Sequence, residues 1–401
     1  MSNFTLHIFL SSIESETRLY KEAAYTLKSG ICSRVAVLGL WQTGLDTEEV
    51  TEYGLEIRRI PTMVRRFRSL SLIRHFGVLR KALAVVSLIQ YAVFCIVSAR
   101  RMRPDHVSCH NAMMLPVAWA AARLSGATLE YLPHELETQR SGLMGMAKRV
   151  TIFIERCFIR SVRNVVVVCD PIRDWYQNVY GLANVYVVRN VPERDAVQIR
   201  STPEGDFRLR FAIPKSATLF IYQGLFSAGR GIDALLDTFA TLDSKRSHLV
   251  LMGYGDERYQ AIINAAVASH SNIHFQPAVA REWIVSYSNQ ADIGILIPEQ
   301  ATLSYRYSLP NKFFEWVHAG LPILVSDNLE YQAKLLHDGG LGWSTPLDKL
   351  GEVIRSLSQT DLAPFIKNAN RYAAEAVWEE DAKVFAHVYR PSQLPSSTTS
   401  L

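Results

Sequence analysis

Cysteine is scarce in this chain: five are present among 401 residues, and no two of them form a CxxC pair. That spacing suits a reducing compartment better than a disulfide framework. The first residues, MSNFTLHIFLSS, also lack the positive start and small-residue cleavage site of a secretory signal, and His7 interrupts their apolar stretch. We therefore expect a cytoplasmic protein whose first residues form a buried strand.

Acidic residues are absent from residues 57–104, where eleven residues are basic. They are Arg58, Arg59, Arg65, Arg66, Arg68, Arg74, Arg80, Lys81, Arg100, Arg101 and Arg103. No nucleic-acid motif accompanies them, which argues against nucleic acid as a partner. The interleaved apolar residues are typical of an amphipathic surface on an anionic membrane leaflet, and a solvated basic face is the alternative. We predict that region 58–103 faces the inner side of the cytoplasmic membrane.

Charge of either sign is missing from the eighteen residues 82–99, ALAVVSLIQYAVFCIVSA. This run just reaches the length of a membrane-span candidate. It contains Ser87, Gln90 and Tyr91, has basic residues at both ends, and leads directly into the strand-like DHVSC. These features favour a helix buried against a sheet over a true span.

Short β-rich runs alternate with helical stretches from end to end. The strands predicted for the first half are 6–10, 33–38, 105–109, 128–132, 164–169 and 185–188. The polar stretch after Pro192 has no clear period, and the pattern then restarts with predicted strands at 219–223, 248–252, 273–275, 293–297, 323–326 and 341–343. Such alternation predicts βαβ units and parallel sheets.

The length favours two domains. We predict two Rossmann-like, doubly wound parallel-sheet domains facing a central cleft, with residues 1–190 in the first and 211–375 in the second. Residues 191–210 are the predicted linker, 376–390 a helix that crosses back to the first domain, and 391–401 a disordered tail. Because open α/β sheets bind ligands outside the carboxyl ends of their strands, the chemistry is expected on strand-to-helix loops.

Two glycine-containing turns in the second half are candidate ligand contacts. In IYQGLFSAGRGIDALLDTFATL, a strand is expected to end at Gly224, and Arg230 stands at the mouth of the next helix, where it could bind phosphate or be an ordinary surface arginine. In LMGYGDE, Gly253 and Gly255 could let backbone approach a ligand or form a tight turn. A dinucleotide fingerprint is unlikely because Arg258 takes the place of its third glycine.

The run RYSLPNKFFEWVHAGLPILVSD carries the strongest signal. Ser308 or Leu309 is expected to cap a helix with Pro310 in its first turn, so that the amides up to Asn311 face a ligand. Further into the helix, Glu315 could accept both hydroxyls of a ribose while Lys312 adds positive charge near attached phosphates. Alternatively, both residues decorate an amphipathic helix.

This run, with YQGLFSAGRGIDALLDTF and ADIGILIP, resembles the C-terminal domain of GT-B glycosyltransferases of family four, in the polysaccharide-biosynthesis branch. RPDHVSCHNAMMLPVAWAAARLSGATLEYLPHEL and RNVP resemble segments of the family's N-terminal half. The resemblance implies sugar transfer from a nucleotide-sugar donor with retention at the anomeric carbon. It matches Glu315 to the ribose-binding glutamate, Arg230 to the diphosphate-neutralising residue, His134 to the histidine facing the donor sugar and His110 to an earlier cleft histidine.

Three positions depart from the family pattern. Tyr307 replaces the first glutamate of the E-x7-E pair, Leu225 stands where many members have a second arginine, and SSIESET replaces the first glycine-rich loop. No persuasive DxD metal pair is present, so fixed cations and helix amides are expected to stabilise the leaving diphosphate without metal or other cofactor.

The prediction is a metal-independent, peripheral-membrane glycosyltransferase that extends a lipid-linked surface glycan. Its predicted catalytic residues are His134, Arg230 and Lys312, and its predicted donor-binding residues are Gly224, Arg230, Gly253, Gly255, Ser308, Asn311, Lys312 and Glu315. A catalytically silent GT-B protein that binds a sugar nucleotide or acts as a scaffold is the alternative, and a nucleotide-sugar epimerase on the same fold is a third possibility.

Overall fold

The computed structural model describes residues 3–14, 16–62, 77–300 and 302–390. The chain divides into two compact units. The first comprises residues 1–188 and the segment that begins at Ala382, and the second is Arg189–Asp381. The predicted tail at 391–401, and residues 63–76 of the predicted membrane-facing region, lie outside the described residues.

The first unit is built on an eight-stranded sheet with the order β3-β4-β2-β1-β5-β6-β7-β8. Its strands are β1 Phe4–Ile8, β2 Arg34–Leu40, β3 Glu48–Val50, β4 Leu55–Ile60, β5 His106–Cys109, β6 Thr128–Tyr131, β7 Asn164–Val167 and β8 Val185–Val187. All neighbours pair in parallel except β3 and β4, which are antiparallel. The central strands are buried because helices cover both faces of a doubly wound sheet.

In the described part of this unit, five main helices connect the strands: α1 Thr17–Lys28, α2 Gly77–Met102, α3 Leu115–Ser125, α4 Gly145–Phe158 and α5 Asp170–Tyr180. Helix α3 begins with a proline in its first turn and ends at Gly126, which has the left-handed conformation of a helix C-cap. Helix α5 has the same two signals, a first-turn proline and Gly181 at its end. Both ends of these two helices are therefore marked by local signals in the sequence.

Strands β3 and β4 were not predicted, and they change the interpretation of the basic region. On β4, Arg59 is buried and its guanidinium contacts the Glu49 carboxylate of β3 at 2.8 Å. Arg58 lies 3.7 Å from Glu56, which also accepts two hydrogen bonds from Arg34. No acidic residue occurs within residues 57–104, but in the folded structure Arg58 and Arg59, at the start of this region, lie beside the carboxylates of Glu56 and Glu49.

The prediction that residues 82–99 form a buried helix is only partly correct. Tyr91, Cys95 and Ala99 of α2 are fully buried, and the Tyr91 hydroxyl donates to the Leu38 carbonyl at 2.7 Å. The opposite stripe is exposed, including Ile89 with 57% of its surface accessible. Among the described residues, Ala82–Met102 is the one helix long and apolar enough to cross a membrane.

The second unit contains a six-stranded, fully parallel sheet with the order β11-β10-β9-β12-β13-β14. Its strands are β9 Thr218–Phe226, β10 Ser247–Gly255, β11 Ile273–Pro277, β12 Ile293–Leu296, β13 Ile323–Ser326 and β14 Gly342–Thr345. Numbered within the unit, this order is 3-2-1-4-5-6, the strand order of the Rossmann fold. The prediction of two doubly wound α/β domains is confirmed.

The helices of the second unit follow in chain order. They are α6 Phe207–Arg210, α7 Ile232–Ala240, α8 Glu257–Ser269, α9 Ile284–Ser288, α10 Leu303–Tyr307, α11 Asn311–His318, α12 Glu330–Gly339, α13 Leu350–Leu357, α14 Ala363–Glu375 and α15 Trp378–Asp381. The short helix α6 lies within the predicted linker. Its N-cap is Asp206, whose carboxylate accepts from two amides of the first turn.

The first and last residues of the second unit are joined directly. The Arg189 guanidinium donates to both carboxylate oxygens of Asp381, at 2.8 and 2.7 Å, in a bidentate ion pair. After Asp381 the chain continues in the first unit through α16 Phe385–Val388. There the Tyr389 carbonyl accepts from the Asn3 side chain at 2.6 Å, which ties the returning segment to the start of the first sheet.

Candidate active site

A cavity of about 290 Å³ lies at the carboxyl ends of β9, β10 and β11 in the second unit. Its lining combines backbone at the strand ends with the first turns of α11. The lining residues are Gln223, Gly224, Met252, Gly253, Tyr254, Ala278, Val279, Ile284, Pro310, Asn311, Lys312 and Glu315. Ligands of open α/β sheets bind at this edge. We call this space the donor cavity, after the donor site that the sequence predicts at these residues.

Helix α11 is held beside the donor cavity by its apolar face. Trp316 is fully buried and packs on Gly294 of β12, where a Cβ atom would come within 2.4 Å of the indole ring. Only glycine leaves room for the ring at this point. Buried Phe313, Phe314 and Val317 complete the face, so Lys312 and Glu315 turn toward the opposite side.

The start of α11 differs from the prediction. Pro310, rather than Ser308 or Leu309, is the N-cap residue, and no side chain caps the helix. The Ser308 hydroxyl instead donates to the Tyr305 carbonyl at 2.9 Å, because it closes the short helix α10 that the sequence patterns did not reveal. Ser308 is not a lining residue of the donor cavity, whereas Asn311 is, and Asn311 accepts a hydrogen bond from Asn190 at 2.7 Å.

Close contacts explain why two of the residues that line the donor cavity are glycines. At Gly253, with φ of +157°, a Cβ atom would lie 1.9 Å from the Gly224 carbonyl oxygen. At Gly224, a Cβ atom would lie 3.1 Å from the Lys312 ammonium nitrogen. The prediction that this strand ends at Gly224 is wrong, because β9 continues to Phe226. Gly255 ends β10 and does not line the cavity.

Glu315 is held in place by a polar relay that the sequence analysis missed. Gln223 donates from its side-chain amide to the Glu315 carboxylate, and the Ser288 hydroxyl donates to the Gln223 amide oxygen at 2.7 Å. Gln223 is the one amide side chain in the segment LFIYQGLF, which is otherwise aliphatic or aromatic apart from Gly224, and that contrast is the signal that could have identified it. The relay fixes the carboxylate at the edge of the donor cavity.

Lys312 is the most unusual charge of this site. Among the part of the chain that the structure describes, its buried ammonium nitrogen has no hydrogen-bond partner, and it lies 4.4 Å from the centroid of the Tyr222 ring. Burial and, second, the charge of Arg230 lower the pKa of Lys312 to about 7, while Glu315 acts in the opposite direction. A buried cation without an anion costs free energy, which a bound anion would recover.

Arg230 stands in the turn between β9 and α7, where its amide donates to the Ser227 carbonyl at 3.3 Å. It does not line the donor cavity, but its guanidinium hydrogen-bonds the Tyr222 hydroxyl and its charge acts on Lys312. The structure thus brings Gly224, Arg230 and Lys312 together. Two cations beside a strand-to-helix turn are a suitable environment for a diphosphate.

Three histidines of the first unit, His7, His110 and His134, form a connected row. His134 follows β6 and is partly exposed, and its Nε2 lies 3.2 Å from Nδ1 of buried His110. Nε2 of His110 lies in turn 2.9 Å from Nδ1 of His7 on β1. Burial lowers the pKa of His134 to about 3, with a smaller effect from the charge of Arg18. The imidazole of His134 is therefore neutral at physiological pH.

A metal site was not expected from the sequence. Within residues 3–14, 16–62, 77–300 and 302–390, no group of three or more His, Cys, Asp or Glu side chains is arranged to hold a metal ion.

Two family models match the sequence. Residues 18–190 match the model described as a glycosyl transferase 4-like domain, and residues 217–360 match the model described as glycosyl transferases group 1. No curated protein matches the chain.

Solved structures share the fold over nearly the whole length. Sucrose-phosphate synthase of Thermosynechococcus elongatus has a TM-score of 0.71 at 13% identity, over 97% of this chain and 98% of that chain. HepE of Anabaena, in complex with UDP-glucose, has a TM-score of 0.67 at 13% identity, over 96% and 98%. WaaG, a glycosyltransferase involved in lipopolysaccharide biosynthesis, has a TM-score of 0.61 at 16% identity, over 96% and 99%.

At these identities the structural similarity shows the fold, which is the two-domain GT-B architecture. The activity class comes from the family models, which cover both halves of the chain. The chain belongs to the GT-B glycosyltransferases of the family-four-like type, and it is a transferase enzyme.

Proposed function

We propose that the protein is a retaining glycosyltransferase that moves a sugar from a nucleotide-sugar donor to a lipid-linked glycan in surface polysaccharide biosynthesis. The observation that carries the donor assignment is the pair of opposite charges on α11. The buried Lys312 ammonium has no anionic partner among the described residues, and the Glu315 carboxylate is held at the same cavity by Gln223. Such a site suits a ligand with both anionic and hydroxyl groups.

The chemistry of the donor cavity suggests how a nucleotide would be oriented. Its pyrophosphate would lie near Lys312 and Arg230, and its ribose hydroxyls would donate to Glu315. The base would pack among the apolar lining residues, which include Met252, Val279 and Ile284. The UDP-glucose complex of HepE, which has the same fold, supports uridine diphosphate sugars as the first donors to test.

In the proposed mechanism, the bond from the anomeric carbon to the diphosphate oxygen breaks while the acceptor hydroxyl attacks from the same face. The leaving phosphate oxygen takes the acceptor proton. Arg230 and Lys312 stabilise the growing negative charge without a metal ion, and His134 orients the sugar. Unchanged turnover in the presence of a chelator supports this mechanism, and a requirement for added divalent metal would contradict it.

The ribose assignment predicts a selective defect in the Glu315→Gln variant. We expect the Kd for UDP to rise about 10- to 100-fold, because two hydrogen bonds from ribose hydroxyls to a carboxylate become bonds to a neutral amide. The Kd for inorganic pyrophosphate should change less than about threefold. Isothermal titration calorimetry measures both values.

The matched control for this variant is Glu257→Gln, which removes an exposed carboxylate from the first turn of α8 in the same unit. It should bind UDP like the unmodified protein. An equal loss of UDP and pyrophosphate binding in the Glu315 variant would show that the carboxylate does not select the ribose.

We also propose that α2 brings the first unit to an anionic membrane. Val85, Ile89, Val93 and Val97 recur every four residues along α2, and each has at least 39% of its surface exposed. Arg100 and Arg101 follow in the last turn. An apolar stripe beside basic residues is the pattern of a helix that lies in the plane of a membrane interface.

The double variant Ile89→Glu/Val93→Glu tests this proposal. It places two carboxylates on the apolar stripe, and we expect at least a tenfold loss of binding to vesicles containing anionic lipid. The control is Val50→Glu, at another exposed apolar position on edge strand β3. Cosedimentation with vesicles measures the effect, and equal binding by the double variant and the control would refute the membrane role of α2.

A catalytically silent GT-B protein that binds a sugar nucleotide is the second candidate. It is favoured by Tyr307, which lies on α10 where the family pattern has its first glutamate. Incubation with donor alone separates the candidates, because a transferase slowly releases free sugar by transfer to water, whereas a pure binder releases none.

A further inference from the structure

A row of three imidazoles leads from partly exposed His134 into the interior of the first unit, where His110 and His7 are buried. The rings come from three neighbouring strands or their ends: His7 lies on β1, His110 directly follows β5, and His134 lies three residues beyond the end of β6. The parallel register places His7 opposite Ser108, and Cys109 opposite Tyr131. The sheet itself therefore aligns the three rings. The proposed mechanism uses only His134, and the other two rings have no assigned role.

The row ends at a carboxyl group. Nε2 of His7 lies 3.9 Å from Oε1 of Glu22, a buried residue of α1. This separation is longer than a hydrogen bond, so the carboxyl acts on the ring through its charge. The Tyr389 hydroxyl donates to the same oxygen, and the Ser108 hydroxyl lies 3.1 Å from that of Tyr389.

Hydrogen-bond counting links the two ends of the row. A neutral imidazole has one N–H and one lone pair. His110, whose nitrogens face His134 and His7 and which also bonds to the Leu132 backbone, can therefore donate toward only one of the two rings and must accept from the other. Donation therefore runs in one direction along all three rings. If it runs toward Glu22, the outer nitrogen of His134, Nδ1, is a bare acceptor; if it runs the other way, Nδ1 carries the proton.

The rings stay neutral across the physiological range. Burial lowers the pKa of His7 to about 3 and the pKa of His110 well below its ordinary value, where His7, His134 and Arg18 add to the effect and a bond to the Leu132 backbone opposes it. Any change in the row near neutral pH is therefore a change of tautomer rather than a gain of charge. Phe9 stacks on His110 with ring centroids 3.8 Å apart, which restrains that ring.

Glu22 is the carboxyl group at the inner end of the row, and its charge can change near neutral pH. Burial raises its pKa to about 7, while the Tyr389 hydroxyl and the charge of Arg18 act in the opposite direction. Its neighbour Cys32 stays a thiol because burial raises the pKa of that group to about 11. The ionised carboxylate attracts the Nε2–H of His7, and the neutral carboxyl does not.

We infer that Glu22 is a positioning residue for His134: through His7 and His110, its charge sets whether the outer nitrogen of His134 accepts or donates a hydrogen bond. With Glu22 ionised, the row donates toward Glu22 and Nδ1 of His134 is an acceptor. With Glu22 neutral, the fraction of His134 that carries its proton on Nδ1 rises. The consequence for sugar orientation rests on the proposed role of His134, but the coupling itself does not.

The experiment follows the ring nitrogens of His134 by NMR in protein labelled with ¹⁵N-histidine, from about pH 5.5 to about pH 8.5. The His134 signals are assigned by their loss in His134→Gln. Protonated and bare ring nitrogens differ widely in chemical shift, so the two tautomers are distinguishable. We expect the His134 shifts to change with a midpoint near the Glu22 pKa of about 7 and this change to be absent in Glu22→Gln.

Glu155→Gln is the matched control. Glu155 is likewise a buried carboxylate of the first unit, but it accepts from the hydroxyls of Tyr131, Tyr176 and Tyr180 and contacts none of the three histidines of the row. It should leave the His134 titration unchanged. Tyr389→Phe removes a donor that stabilises the Glu22 anion, so the midpoint should move to higher pH; this variant serves if Glu22→Gln does not fold.

A pH-independent His134 signal in the unmodified protein, or the same titration in Glu22→Gln, would overturn the inference. Kinetics provide a separate readout: with a transferable donor, Glu22→Gln should alter the pH profile of kcat and leave the donor KM within about twofold. If no sugar transfer is found at all, the proposed function fails while the NMR coupling still decides the inference.

Discussion

Replacing Arg230 with alanine is expected to lower kcat by about 100- to 1000-fold, the range seen when one preorganised donor to a developing anion is removed. Departure of the diphosphate places growing negative charge beside Arg230 and Lys312. With Arg230 absent, Lys312 is the one remaining cation assigned to this charge. Initial-rate measurements with a saturating donor and acceptor report the loss directly, because the effect belongs to the transition state rather than to donor binding.

The substitution should not unfold the protein. Arg230 is partly exposed, and its partner Tyr222 keeps a second hydrogen bond, from its hydroxyl to the Leu225 carbonyl at 3.1 Å. Arg258→Ala removes an exposed arginine from α8 of the same unit and should leave kcat unchanged. Near-normal turnover of the Arg230 variant would defeat its assignment to the leaving group. If the variant lost its activity and also melted at a much lower temperature, Arg230 would be assigned to the stability of the fold instead.

The sequence predicted the parallel strands well because their signal is local. Residues 323–326 form a strand with the predicted bounds, since a short apolar run stands between Pro322 and Asp327. Strands β3 and β4 were not predicted because the contacts that define them are not local in the sequence. Glu48–Val50 is exposed throughout, and Leu55–Ile60 contains charged residues whose partners, Glu49 for Arg59 and Arg34 for Glu56, come from neighbouring strands. Propensity cannot report such pairing.

The candidate site shows the same limit at the level of single side chains. The resemblance to a family led to Lys312 and Glu315, and both line the donor cavity. It did not lead to Gln223, whose contact with Glu315 depends on β9 lying beside α11, or to the row of histidines that ends at Glu22. These contacts join residues far apart in the chain, so only the folded sheet reveals them.

Donor affinity is expected to fall with rising pH because Lys312 must be charged to bind a pyrophosphate. The pKa of Lys312 is lowered to about 7 in the free protein, so the amine is increasingly neutral above that pH. A bound anion restores the ammonium, and donor binding should then take up a proton. The Kd for UDP-glucose should be nearly constant below about pH 7 and should weaken about tenfold per pH unit above it. Calorimetry in buffers of different ionisation enthalpy measures the proton uptake.

Two variants separate the charge of Lys312 from its size. Lys312→Arg keeps the charge at all of these pH values and should lose the pH dependence, whereas Lys312→Met should bind weakly at every pH. Lys334→Met, which removes an exposed lysine paired with Asp338 on α12, is the control. Unchanged pH dependence in Lys312→Met would show that another group titrates.

The lowered pKa of Lys312 also affects the stability of the fold. Donor affinity falls with rising pH, whereas the stability contributed by this group rises with pH. The unfolded chain binds the Lys312 proton more tightly than the folded chain, so stability from this group is full above its ordinary pKa and falls as the pH drops toward 7. Without donor, Lys312→Met should therefore raise the melting temperature at neutral pH. A protein that keeps a cation without a hydrogen-bond partner at a binding cavity gives up stability for the anion it binds. A variant of Lys312 that binds the donor less tightly but melts at a higher temperature would establish this exchange.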